Sequence, residues 1–413
     1  MLPLIGWLET HQRHAAWLAA AALVALGCVV YGQTLSRGWV VAPPDDLEWL
    51  SMVRGASPAD VPSWFVKQPA FFYRPLARVS FYLDYLVWGD NPFGFRLTHL
   101  VLYIIAAIAL AWLAYEVTRS RLAGFFAACL YEVYPGNWET AYWISTRADL
   151  LAAVFVFAAL ALLLRARRKR RLGLWLGALG CTLAALFSKE TGLALVPIVL
   201  VWAAIRSPRL RRSGRHWAWT GITLAVLLTM VAGYWALRSE ATQMGTQHLA
   251  RFEHGQLHLR KVIVTGADWW WRPIFIQLYP MVKGAAPGFA TLLVEPVRFF
   301  DFWGTLALWA GALLLIFRRD ARAAAMLLVF YPLAALPASG EAATVPFRRF
   351  YYLPAAGGEA VTAFVCWCVL VWCRERWGRW GWLATGLFAA LAAEYIWRTA
   401  HIIAPLGQRL FGR

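Results

Sequence analysis

Charge is scarce in this chain: 15% of its 413 residues are Asp, Glu, Lys or Arg, against 61% that are hydrophobic. Long hydrophilic stretches are missing as well, so no large soluble domain can be built between the apolar runs. Acidic residues are the scarcer sign, 22 against 40 basic, and the net charge is +18. In a soluble chain such a surplus would suggest nucleic acid. Here the Lys and Arg residues sit in short loops after every second apolar run, which is the mark of membrane topology, and no nucleic-acid partner is expected. Cysteine is also sparse. Cys28, Cys129, Cys181, Cys366, Cys368 and Cys373 fall in or beside apolar runs, which points to buried free thiols rather than a disulfide framework. The first apolar run is followed by Gly32-Gln33-Thr34, without a small-residue cleavage site, and reads as a retained anchor rather than a signal peptide.

Long apolar runs are what the chain has in abundance. Candidate spans are 15–31, 98–117, 123–134, 148–164, 172–187, 191–205, 217–237, 299–317, 323–336, 354–372 and 380–396, a total of about eleven. The fold class is therefore an all-α polytopic membrane protein with 1–413 as a single transmembrane domain. Basic clusters at Arg119 and Arg121, 165–171, 206–215, 318–322 and 374–379 mark the cytoplasmic loops. The N-terminus is then cytoplasmic, and the extracytoplasmic side receives a first loop at 35–97, the segments around Trp138 and Lys189-Glu190, and a long loop at 238–297. Interfacial helices are expected in the first and fourth of these loops. The aromatic stretch 81–89 is one of them, too short to span and poorly alternating for a strand.

The unusual polar residues gather on that outer side. Asp45-Asp46 follows Pro43-Pro44, and carboxylates this close to hydrocarbon are costly unless they face water, a partner or a substrate. The competing reading makes the pair the acidic first turn of a short surface helix. His99 enters the second span and is read as a satisfied histidine at a helix entrance before a catalytic one. Arg147 and Asp149 open the span after Pro135-Gly136. An arginine at a helix start opposes the macrodipole and suits a phosphate, with a local pair to Glu139 or Asp149 as the alternative. Lys189 and Glu190 occupy a hairpin so tight that both must lie near the hydrocarbon boundary: Lys189 could hold a phosphate and Glu190 could fix it, or the lysine could snorkel. His254 and His258 have the i, i+4 spacing of a zinc pair, but Gly255 weakens a helix there and no metal site is assigned. Arg348-Arg349 and Tyr351-Tyr352 precede the span at 354–372 as an anion clamp or an interfacial anchor.

Taken in order, Asp45-Asp46, Tyr73-Arg74-Pro75-Leu76, Gly89 to His99, Pro135 to Leu151, Lys189-Glu190 and Arg349-Phe350-Tyr351-Tyr352-Leu353-Pro354 resemble the membrane part of the TMTC-type protein O-mannosyltransferases, within the GT-C glycosyltransferases. The likeness extends over nearly the whole chain. It implies a GT-C fold, a catalytic acidic pair in the first extracytoplasmic loop and a polyprenyl-phosphate sugar as donor. Phe347-Arg348 before Arg349 and Asn137-Trp138 before Glu139 depart from the family pattern, and no tetratricopeptide array follows within the 413 residues. The compact form resembles a bacterial member of the inner membrane, with undecaprenyl phosphate as carrier and a periplasm-facing site.

The expected reaction is an inverting transfer of a hexose, mannose among the candidates, to a hydroxyl of a protein or an envelope glycan. Asp45 is assigned as base and Asp46 as the residue that positions the acceptor or holds a cation, the roles being exchangeable. Arg147, Lys189 and Arg349, with Arg74 behind them, are assigned to the donor phosphate. Glu139, Asp149, Glu190, Tyr352 and His99 support them. No cofactor is assigned; a divalent cation is left open, since two aspartates offer too few ligands for a tight site. Membrane lipids are the surrounding partner. A polyprenyl-lipid flippase is the alternative, against which the clean interiors of most spans argue.

Overall fold

A computed structural model of the protein describes residues 12–40, 45–66, 72–134, 137–205, 214–242, 252–253, 256–257, 322–330, 333–334, 352–377 and a few positions between 386 and 397. Helix α1 (Gln12–Tyr31) is followed by a 3-10 turn (Gly32–Ser36) and the short α2 (Asp45–Val53). A second 3-10 segment (Pro58–Phe65) leads to α3 (Pro75–Trp88), α4 (Pro92–Thr118) and α5 (Arg121–Val133). The one-turn α6 (Trp138–Tyr142) and a 3-10 turn (Ile144–Thr146) introduce α7 (Arg147–Lys169). Then come α8 (Leu172–Ser188), a 3-10 turn (Glu190–Ala194), α9 (Leu195–Ile205), α10 (Gly214–Thr242) and α11 (Tyr352–Trp377). Residues 322–330 are helical too. The one strand pairing among the described residues is a two-residue ladder, Phe252 with Leu257 and Glu253 with Gln256.

Five of the described helices are long and apolar enough to cross a membrane, within Ala16–Ser36, Pro92–Thr118, Ile144–Lys169, Gly214–Ala241 and Tyr352–Cys373; Leu172–Ser188 and Glu190–Ile205 are shorter and apolar. Their limits follow local chemistry. Pro92 at the first turn and the Asn91 side chain accepting the Phe93 N–H start α4 six residues earlier than hydropathy alone suggests. Arg96 therefore lies within that helix rather than before it, and His99 lies two turns in rather than at its entrance. Pro75 likewise starts α3 ahead of the aromatic stretch at 81–89. The predicted spans at 299–317 and 380–396 lie wholly or largely outside the described residues. The six cysteines are free as expected, but Cys28 is exposed on α1 rather than buried, on a face where lipid would be the solvent.

Small residues bring the helices close. Ala106 and Ala107 of α4, Ala127 and Ala128 of α5, and Ala152 and Ala153 of α7 are fully buried, which lets α4, α5 and α7 approach as membrane helices do when shape rather than hydrophobicity drives association. Where α5 crosses α4, a Cβ on Gly124 would stand 2.5 Å from the Ala111 carbonyl oxygen. A second apolar core lies above this bundle. Trp49 of α2 stacks on Phe81 of α3 at 5.2 Å between centroids, and Trp64, Tyr82, Phe95 and Ile144 close around them. It clamps the 35–97 segment onto the head of α7.

Gly124→Ala should push α5 off α4 and cost about 1–3 kcal/mol, as overpacking of tight sites does. Thermal melting of purified protein in detergent would read it. Gly180→Ala, whose Cβ meets nothing within 4 Å, should leave the melting point unchanged.

Candidate active site at the head of helix α7

Both aspartates of the acidic pair stand in the first turn of α2, so the helix-cap reading and the functional reading describe the same geometry. Their surroundings differ. Asp46 is 1% exposed; its Oδ1 accepts the Ser145 N–H at 2.8 Å and its Oδ2 accepts the Val40 N–H at 3.3 Å. Burial pushes its carboxyl above the usual range, against the pull of the Ser145 amide and of nearby Arg96. Asp45 is only partly buried. Asp46 is thus a fastener between the first loop and the turn before α7, and Asp45 is the more exposed member of the pair.

Arg96 completes the fastening. Its guanidinium donates to the Gly38 carbonyl, to the Arg37 carbonyl at 2.9 Å and to the Tyr142 carbonyl at 3.1 Å. His99 lies one turn on, 3% exposed, with Nε2 2.6 Å from the Thr140 carbonyl oxygen. One ring nitrogen is thus partnered, while Nδ1 is buried without a hydrogen-bond partner. Glu139 is buried on the same short helix. Arg96 was not among the residues singled out by sequence. The signal for it was an arginine within an otherwise apolar helix.

Arg147 corrects an assignment. Its side chain is fully buried; Nη1 pairs with Asp84 Oδ2 at 2.6 Å, Nη2 donates to the Phe95 carbonyl at 2.7 Å, and the guanidinium lies 4.4 Å from the Phe81 ring centroid. Neither Glu139 nor Asp149 is its partner. Enclosed in this way it is ion-paired, as in the local-pair alternative, with Asp84 as the partner in place of Glu139 or Asp149.

The cations nearer the boundary form a different cluster. Lys189 Nζ meets Asp149 Oδ1 at 2.6 Å, Arg74 Nη2 meets Glu190 Oε2 at 3.0 Å, and Arg238 Nη1 meets Glu190 Oε1 at 3.1 Å. Lys189 is held in extended backbone between the end of α8 and the next 3-10 turn. Burial pushes its amine down, and Asp149 opposes that shift. Three cations against two carboxylates leave these five side chains with a surplus positive charge. Arg238, at the end of α10, is the member that sequence reasoning missed: it was taken only as the start of a long loop. Tyr352 is buried with its ring 5.0 Å from that of Tyr131, and its backbone carbonyl accepts the Tyr131 hydroxyl at 2.9 Å. Arg349, His254 and His258 lie outside the described residues. Among those residues no group of three or more His, Cys, Asp or Glu side chains stands ready for a metal.

Ser145 and Asp149 are four positions apart, so the first turn of α7 joins the two halves of the site. One half holds the acidic pair and the other holds the cations. Comparison with known proteins bears on the fold that carries these residues. Residues 75–235 match the family model of dolichyl-phosphate-mannose-protein mannosyltransferases. Over 125 residues the chain is 33% identical to the protein O-mannosyl-transferase Tmtc1 of Drosophila melanogaster, covering 29% of this chain and 14% of that protein. The TMTC1 protein of Mus musculus is 29% identical over 157 residues, 34% of this chain and 16% of that protein. The matched stretch is thus a small part of these relatives' length. The oligosaccharyltransferase AglB of Archaeoglobus fulgidus, solved with an inhibitory peptide and a dolichol-phosphate, superposes with a TM-score of 0.59 at 12% identity, over 97% of this chain and 56% of AglB. The expected GT-C fold is therefore the fold of this chain.

Leaving either member of the Arg147–Asp84 pair alone in the interior should be severe. Arg147→Met or Asp84→Leu is expected to destabilise by about 3–5 kcal/mol, and the double substitution should recover most of the loss. Melting curves of the three variants in detergent would decide it, and a double variant no better than the singles would refute the pairing.

Proposed function

We propose that this protein is an inverting glycosyltransferase that moves a sugar from a polyprenyl-phosphate donor to a hydroxyl acceptor at the head of α7, on the extracytoplasmic side of the membrane. The observation that carries this reading is that the acidic pair, through the Asp46 bond to the Ser145 N–H, and the Lys189–Asp149 ion pair are anchored four residues apart at the head of α7. Similarity to the mannosyltransferase family over residues 75–235 supports it, and so does the fold shared with an oligosaccharyltransferase.

The chemistry divides between the two halves. The acceptor hydroxyl gives its proton to Asp45 as its oxygen bonds to the anomeric carbon, and the bond from that carbon to the phosphate oxygen breaks with its electron pair leaving on the phosphate. Attack from the face opposite the phosphate inverts the centre without a covalent intermediate. A positioned base contributes typically 10²–10⁴-fold. Lys189, Arg74 and Arg238 stabilise the charge that develops on the departing phosphate, an effect strengthened by their burial. Asp46 holds the loop that carries Asp45. A divalent cation would find two carboxylates in the acidic pair and would need its other ligands from phosphate and water; the steps above use side chains alone. Mannose is the sugar most in keeping with the relatives, undecaprenyl phosphate the carrier in a bacterial inner membrane, and a protein or envelope glycan the acceptor. A lipid flippase would need a cation site without the base.

Asp45→Asn should lower transfer from a polyprenyl-phosphate sugar by about 10²–10⁴-fold while leaving donor affinity intact. Lys189→Ala and Arg238→Ala should instead weaken donor binding, by roughly tenfold for each buried cation removed. Radiolabelled sugar transfer and lipid binding, measured on the same purified variants, separate the two effects. Wild-type transfer rates in Asp45→Asn would rule out the base.

A further inference from the structure

The opposite end of α7 carries a second arrangement that sugar transfer does not use. Arg167 lies twenty residues beyond Arg147, about 30 Å along the helix, and so at the other face of the membrane. Between α7, α9 and α10 runs a groove walled by Leu160, Leu164, Val199, Trp202 and Trp219, with Arg167 at its rim. The guanidinium of Arg167 sits over Trp219 at 5.3 Å from the ring centroid. Trp202 is fixed from behind, its indole N–H donating to the Met326 carbonyl at 2.8 Å.

The neighbouring arginines are differently occupied. Glu116, buried at the end of α4, accepts Arg168 and draws in Arg119 at 2.8 Å and Arg165 at 3.9 Å. No acidic side chain among the described residues forms an ion pair with Arg167. A cation fixed on an indole face at the mouth of an apolar groove matches a molecule with one negative headgroup and one hydrocarbon tail.

We propose that this groove is a binding site for an anionic phospholipid of the adjoining leaflet, with its phosphodiester on Arg167 and one acyl chain along Leu160, Leu164 and Val199. Basic pockets between transmembrane helices hold anionic headgroups in this manner, and guanidinium is suited to a phosphodiester by its planar fork of donors. The lipid would seal α10 against α7 at the face away from the reacting groups.

The test is native mass spectrometry of full-length protein, stripped of lipid in detergent and titrated with phosphatidylglycerol or with phosphatidylcholine. Wild type should retain phosphatidylglycerol about fivefold better than phosphatidylcholine, one cation's worth of attraction at a membrane surface. Arg167→Ala should remove that preference. Leu164→Trp, which fills the groove without changing charge, should reduce retention of both lipids, while Arg171→Ala, on the exposed end of the same basic run, should change nothing. Equal retention of the two lipids by wild type would overturn the proposal. So would a loss in Arg171→Ala as large as in Arg167→Ala, since that would mean diffuse attraction rather than a site.

Discussion

Charge beside hydrocarbon must be paired, and the outer end of this molecule is organised by that requirement. An isolated ion taken out of water costs several kcal/mol even after relaxation, so each buried cation must find a carboxylate, a carbonyl or an aromatic face. Arg147 finds all three, in Asp84, the Phe95 carbonyl and the Phe81 ring. Because Asp84 is on α3, Phe95 on α4 and Arg147 on α7, satisfying one guanidinium fixes three helices against one another. Asp46 does the same with backbone amides, drawing the first loop to Ser145. The head of α7 is where these obligations meet.

Arg147 is ion-paired with Asp84, and a larger cluster of charges lies a turn away. Asp149 and Glu190 answer Lys189, Arg74 and Arg238 there, in three ion pairs. A cluster built only for stability would be better served by apolar residues of the same volume, which often replace buried ion pairs at no cost. Keeping an excess of one sign near the boundary is destabilising unless an anion comes and goes there. Within the proposed reaction that anion is the donor phosphate.

Much of this was legible in the sequence, for physical reasons that also explain the failures. Hydropathy located α4, α7, α8, α10 and α11, because twenty apolar residues in a row have few alternatives to a membrane helix. The acidic pair and Lys189-Glu190 stood out because charge is rare in such a chain. Arg147 was noticed on the same ground, but rarity marks a residue as constrained without saying what constrains it, and Asp84, its ion-pair partner, lies 63 positions earlier. Arg96 fell before the span that hydropathy drew, and His99 at its entrance, because polar residues end an apolar run. They belong in a helix because protein, not lipid, surrounds them. Arg238 could be identified only from contacts across 48 positions, which one-dimensional spacing does not contain.

The same distinction separates the two aspartates, which sequence alone left interchangeable. A carboxylate that accepts two backbone amides and neighbours an arginine has most of its hydrogen-bonding capacity committed before any substrate arrives. To take a proton from an acceptor, Asp46 would have to release the loop that it holds. Asp45 carries no such duty toward Ser145 or Val40 and stands partly open at the start of the helix. The cost of moving Asp46 is a cost that the reaction can avoid by using its neighbour. Neighbouring acids in unlike surroundings tend to divide roles in this way, and within the proposed reaction the fastened Asp46 leaves the proton to Asp45.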